Sequence, residues 1–252
     1  SAKNPLFIIQ YVEYLIDCSL VKLQNRNTVG IVDINKFHAK RFMPRKIADI
    51  YSQRLVHLRK GRIGEACLHL LYKLALCNGK ISLSFFNQFF EASNEQLNEL
   101  MRRRLCKFEE DESIAFIHES LFLYVSEQLK EQKAIKASLA KELVSIPDIS
   151  NSLSAFQVGR LYLYSRDYKK AREYLHPIET WLIEADNISN VNVNLAYYDY
   201  LDDLFELLRR TRKDIALAKK AMLLRIYITL HHFAPIKAVG ECDIALRKLK
   251  QY

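Results

Sequence analysis

Phe116-Ile117-His118-Glu119 runs into the helical stretch Ser120 to Leu129, so a histidine and an acid open an apolar helix. An imidazole titrates near neutrality and can donate or accept a hydrogen bond. Its plainest use at this place is to pack the preceding strand and cap the helix. Upstream, Arg102-Arg103-Arg104 offers guanidinium groups of the kind that meet a nucleic-acid backbone. Consecutive residues are rotated by about a hundred degrees on a helix, so these three share no face. Residues 61–135 carry nine Lys and Arg against eleven Asp and Glu, and four of the acids are consecutive at Glu109-Glu110-Asp111-Glu112. That balance weighs against DNA. Lys40-Arg41 and Arg45-Lys46 flank Pro44, and residues 1–60 hold eleven basic against four acidic residues, so most of the net charge of +9 sits at the front. Trp181 and the tyrosines Tyr197 and Tyr198 are candidates for protein contact, because Trp and Tyr dominate binding hot spots.

No nucleophile signature accompanies these groups. The five cysteines, Cys18, Cys67, Cys77, Cys106 and Cys242, are odd in number, form no CxxC and have mostly apolar neighbours, which favours reduced, buried thiols. The histidines lack zinc-ligand spacing, and His231 and His232 diverge on a helix. No metal is expected.

The elements that must position these residues are mostly helical. The 252 residues are 50% hydrophobic and include only 6 Gly and 5 Pro, a balance suited to several helical modules with their own cores. No apolar run reaches the ~18 residues needed to span a bilayer, and a cytoplasmic location is expected. Leu6, Ile9, Val12, Leu15 and Ile16 predict a helix from Pro5 to about Ser19. Leu20 to Leu23 and Val29 to Ile34 flank the polar Gln24 to Asn27 and predict a hairpin. A helix over Phe42 to Leu58 follows, ended by Gly61 and Gly64. Helices are predicted over Glu65 to Cys77, Ser82 to Glu91 and Asn94 to Cys106, with Ser82 and Ser93 as N-caps. The charged turn after Phe108 then leads to Ser113 to Ile117, giving three helices, a hairpin and a helix, the order of a winged helix.

The second half carries a repeat signal: Gly159, Tyr162, Tyr168, Ala171 and Leu175 occupy the eighth, eleventh, seventeenth, twentieth and twenty-fourth positions of one tetratricopeptide-like unit. Gly159 and Ala171 let two helices approach closely. Leu195 to Leu208, Ile215 to Leu230 and Ile236 to Leu249 are read as further stacked helices.

In this order the pieces resemble the C-terminal portion of a STAND-type AAA+ signalling ATPase. That family's lid opens with Gly-Asn-Pro-Leu, and Asn4-Pro5-Leu6 matches with Lys3 in place of Gly. Its winged helix often ends in Met-His-Asp or Arg-His-Asp, to which Ile117-His118-Glu119 is similar. The resemblance implies a mostly α chain: a lid-like segment with hairpin over 1–60, a winged-helix domain over 61–135 and a tetratricopeptide-like array over 136–252. It further implies that His118 senses nucleotide state by donating to a phosphate oxygen in a closed form, with Asn4 and Pro5 lying near the nucleotide. The chain lacks GxxxxGK[ST], so it is expected to hydrolyse nothing alone and to hold no cofactor itself, ATP or ADP belonging to the intact ATPase. It is read as a fragment beginning at the lid. Its function is then regulatory: repeats take up a protein partner and bias the nucleotide state through the winged helix, with self-association in the intact protein. The alternatives are a DNA-binding regulator using Arg102 and Arg103, and a helical-repeat interaction scaffold without a nucleotide link.

Overall fold

A computed structural model describes residues 5–25, 28–31, 46–184, 195–198, 200–211, 214–232, 239–240, 242–244 and 246–247. The chain is mostly helical and divides into two compact units, 1–136 and 137–252. Among the described residues no helix is long and apolar enough to cross a membrane.

The first unit opens with α1 (Pro5–Asp17), which turns Tyr14 and Leu15 inward and leaves Ile8 and Ile9 exposed. A two-stranded hairpin follows, β1 (Val21–Asn25) and β2 (Thr28–Ile31), paired Val21 with Ile31 and Lys22 with Gly30. The Phe42 to Leu58 prediction survives as α2 (Ile47–Arg59). Its start is fixed where the Asp49 carboxylate accepts from the amide of Lys46 at 3.0 Å. The preceding basic residues Lys40, Arg41 and Arg45 lie outside the described residues. Along α2 the buried positions Ile50, Tyr51, Arg54, Leu55 and Leu58 trace one helical face, on which α1 packs.

Gly61 and Gly64 turn the chain into α3 (Gly64–Leu76), whose residues 70–76 are all buried. A Cβ on Gly64 would stand 1.9 Å from the carbonyl oxygen of Leu58, so only glycine permits this approach. Gly79, at φ +84, then leads into β3 (Lys80–Ser82), a strand lying between the helices expected over Glu65 to Cys77 and Ser82 to Glu91. Three residues carry too short a pattern to reveal a strand. Ser82 closes β3 and accepts from the amide of Phe85 to cap α4 (Leu83–Phe89), and Ser93 caps α5 (Asn94–Arg102) in a capping box with Gln96. The helix expected to reach Cys106 stops at Arg102, because Arg104 turns left-handed (φ 49) and Cys106 enters a strand.

β4 (Cys106–Phe108) and β5 (Ser113–Phe116) form the expected hairpin, and β3 pairs with the free edge of β5, giving the order β3-β5-β4. Lys80 bridges Glu109 and Asp111, and Lys107 reaches Glu109 at 2.9 Å, so neighbouring lysines partly neutralise the acidic turn. Next comes α6 (Glu119–Glu131), and α7 (Lys133–Val144) is a helix the sequence reading did not mark.

In the second unit, α8 (Ala155–Tyr164) is capped by Ser154 and folds back through Ser165–Asp167 onto α9 (Tyr168–Glu184). Leu195 to Leu208, expected as one helix, is instead α10 (Leu195–Tyr198) and α11 (Leu201–Thr211). Tyr200 forms a turn there, its amide donating to the carbonyl of Tyr197 at 3.0 Å. α12 (Ile215–His232) follows, while much of Ile236 to Leu249 lies outside the described residues. The shared core gathers Leu175, Ile178, Leu204, Phe205 and Met222.

Gly159 sits where α8 meets α9: a Cβ there would fall 2.9 Å from the Tyr174 Cβ and 3.1 Å from the Leu175 Cγ. A Gly159→Val chain should therefore unfold with a stability lowered by about 1–3 kcal/mol. Gly240, with nothing within 4 Å, should accept Ala without loss. Urea midpoints of the two variants check this, and equal midpoints would contradict the close approach.

Candidate functional site

His118 is held from both sides. Before it, the amide of Phe116 donates to the carbonyl of Gly79 at 3.2 Å, and that of Ile117 donates to the carbonyl of Leu105 at 3.1 Å. After it, the amides of Leu121 and Phe122 donate to the His118 carbonyl, making His118 the N-cap of α6. Only its backbone caps: the half-buried imidazole makes no cap hydrogen bond. The simple side-chain capping role is thus not used. Two residues on, Ser120 Oγ lies 2.7 Å from Tyr51 Oη, tying the first turn of α6 to α2. Burial pushes the Tyr51 phenol upward, so it stays neutral in this bond.

The same helix α2 carries the principal charged cluster of the first unit. Arg54, 1% exposed, spreads its guanidinium over α1 and the end of α5. Nε donates to Asp17 Oδ2 at 2.9 Å, and Nη1 donates to Gln10 Oε1 at 2.6 Å and to Glu13 Oε2 at 2.8 Å. Nη2 donates to the carbonyl of Arg103. Gln10, Glu13 and Asp17 form a polar stripe along α1, the one signal in the sequence that this face meets a charge. Around the rim, Arg104 Nη1 lies 3.5 Å from Glu13, and Arg103 lies 3.7 Å from Asp17. Glu99 accepts from Arg102 Nη2 at 2.8 Å and from Arg103 Nε at 2.6 Å. The Arg102 bond first, then that from Arg103, draws the Glu99 carboxyl down to about 2.

This geometry redirects the arginine triplet. Arg102 is exposed but bidentate to Glu99, and Arg103 is mostly covered and shared between Glu99 and Asp17. Both guanidinium groups already face carboxylates, the opposite of a surface arrayed for phosphates.

Of the remaining sequence candidates, Asn4 lies outside the described residues and Pro5 is the exposed first residue of α1. Trp181 and Tyr197 are brought together, half-buried, with ring centroids 5.2 Å apart, and Tyr197 meets Phe156 edge-on at 5.4 Å. Tyr198 is a core residue instead of a surface one: it is 5% exposed, its hydroxyl lies 2.9 Å from Thr229 Oγ1, and the Arg225 guanidinium covers its ring at 4.8 Å. Among the described residues no group of three or more His, Cys, Asp or Glu side chains gathers at metal-binding distance. No protein-family model, curated protein or solved structure matches this chain.

Removing Arg54 strands two buried carboxylates. Arg54→Met should cost about 3–5 kcal/mol, and Arg54→Lys, lacking the planar fork, should also destabilise. Chemical denaturation of the chain measures both, and a loss under about 1 kcal/mol for Met would contradict the uncompensated-charge account. Glu99 gives a pH signature. Its folded value lies below the ~4.3 of a free carboxyl, so its contribution is full above that value and disappears as pH falls toward about 2. The stability gap between the natural chain and Glu99→Gln should therefore shrink between about pH 5 and 2, and a constant gap would contradict the depressed value.

Proposed function

We propose that this chain is the regulatory, non-catalytic portion of a STAND-type ATPase, in which residues 61–135 act as a winged helix and the second unit acts as a tetratricopeptide-like sensor. The observation that carries the reading is the order helix, strand, two helices and hairpin from α3 to β5, whose three strands pair as β3-β5-β4 directly before His118. This order of elements supports the winged-helix reading, and backbone bonds to the carbonyls of Gly79 and Leu105 hold the two residues before His118. An imidazole there, not consumed by capping, is suited to meet a phosphate oxygen from another domain in one state and to lose that contact in another. The close α8 to α9 packing at Gly159 supports the repeat reading. A partner protein is taken up by the repeats, and the half-buried Trp181 and Tyr197 pair is the aromatic group nearest to that role. ATP or ADP is bound by the intact ATPase, which also self-associates.

The hairpin between Phe108 and Ile117 favours this reading over an uninterrupted helical scaffold, and the carboxylates on Arg102 and Arg103 disfavour the DNA-binding one. The test is ADP release from the full-length natural protein, followed with a fluorescent ADP analogue. His118→Ala should speed release about tenfold with an unchanged circular dichroism spectrum. A full-length protein that binds neither ATP nor ADP, or unchanged release, would overturn the proposal.

A further inference from the structure

Four of the five cysteines share no chemistry with the remaining one. Cys67, Cys77 and Cys106 are buried in the first unit, and burial pushes Cys67 up to about 11, Cys77 up to about 12 and Cys106 upward likewise. These thiols are inert near neutral pH. Cys242, in the second unit, is half-buried and makes no hydrogen bond with a described residue. Cys18 differs. It is the first residue beyond α1, is half-buried, and its Sγ lies 3.2 Å from His57 Nε2 on α2. The imidazole is itself oriented, its ring meeting Tyr14 edge-on with centroids 6.1 Å apart. Cys18 and His57 are thirty-nine positions apart, so the pair exists only because α1 docks on α2.

We propose that Cys18 and His57 form a thiol-imidazole pair that makes Cys18 the site of reversible modification by peroxides and then by small thiols. His57 Nε2 takes the thiol proton, leaving a thiolate. The thiolate sulfur attacks one oxygen of hydrogen peroxide; the S–O bond forms, the O–O bond breaks, and the departing hydroxide takes the imidazolium proton and leaves as water. Sulfur is oxidised to the sulfenic acid as the peroxide is reduced. A glutathione thiolate then attacks this sulfur; the S–S bond forms, the S–O bond breaks, and the departing hydroxide takes a proton from solvent and leaves as water, giving a mixed disulfide that further thiol reverses.

The place gives the modification a consequence. Cys18 packs on the small core of Tyr14, Leu15, Leu20, Val21 and Ile50, and it directly follows Asp17, the carboxylate held by Arg54. A tripeptide attached to this half-buried sulfur adds bulk where Cys18 packs on that core. Thiolation therefore loosens α1 from α2 and weakens the Arg54 cluster. The inference does not depend on the nucleotide-switch reading above, since it concerns chemistry within the first unit alone.

The experiment uses the full 252-residue chain, reduced, with each cysteine followed by mass spectrometry. At pH 7, Cys18 should be alkylated by iodoacetamide at least tenfold faster than Cys242, and hydrogen peroxide with dimedone should label Cys18 first. His57→Phe and His57→Gln should each slow Cys18 alkylation about tenfold at pH 7 and leave it little changed at pH 10, where hydroxide replaces the base. Two variants of different size and polarity, both checked by circular dichroism, separate loss of the base from loss of the fold. Peroxide followed by glutathione should lower the melting temperature of the natural chain and leave that of Cys18→Ser unmoved. Cys18 reacting no faster than Cys242, or His57 variants reacting as the natural chain does at pH 7, would mean that the contact is packing only and would overturn the proposal.

Discussion

Arg54 is the constraint on which the first unit depends. A guanidinium that is 1% exposed has lost nearly all its water, and a buried charge is tolerable only when its donors are answered. Here the answers come from different parts of the chain: Gln10, Glu13 and Asp17 on α1, and the carbonyl of Arg103 at the end of α5. Hydrophobic contact between α1 and α2 would tolerate sliding or rotation, because apolar attraction has little direction. The planar fork of Arg54 does not, since its donors leave in fixed directions. The cluster thus contributes register more than net stability. It sets which face of α1 meets α2 and at what height.

That register propagates to the residues of functional interest. α2 carries Arg54, His57 and Tyr51 in successive turns, so the same placement that seats the ion cluster also brings His57 to Cys18 and Tyr51 to Ser120 at the start of α6. His118 stands two residues before Ser120, fixed by backbone bonds to turns at the ends of α3 and α5. A disturbance of α1 therefore has a short physical route to the histidine corner through α2. The second unit uses the same device on a smaller scale. Arg160 on α8 donates to Asp203 on α11 at 2.6 Å while its guanidinium covers the Tyr200 ring at 4.5 Å, and Arg172 grips the buried Glu179 along α9 across Pro177. Pro177 removes one helical hydrogen bond, and the ion pair spans that weak turn.

Local chemistry was legible in the residues themselves. Ser82 and Ser93 announced helix starts, Gly61 and Gly64 announced the end of α2, and the polar run after Phe108 announced a hairpin. Each of these rests on interactions across a few residues, so type and spacing suffice. Gly159 was legible for a related reason: a glycine amid a large-residue helix marks a close approach, and the Tyr174 Cβ stands where its side chain would be. Where the local signal was short or mixed, the reading failed. β3 has three residues, α7 has a weakly patterned face, and a turn at Tyr200 precedes α11.

The amino-acid sequence by itself determined a mostly helical chain, its main helix starts and its small-residue contact, because backbone periodicity and capping act over one or two turns. Only the tertiary structure decided which groups far apart in the chain meet. Arg54 finds Gln10, Glu13 and Asp17 across 37 to 44 positions, Cys18 finds His57, Arg103 reaches Asp17 beyond its own helix, and Tyr198 sinks into the core. Pairing of this kind depends on helix docking and on the cost of leaving any one charge dry and unanswered. Neither is written in the spacing of residues along the chain.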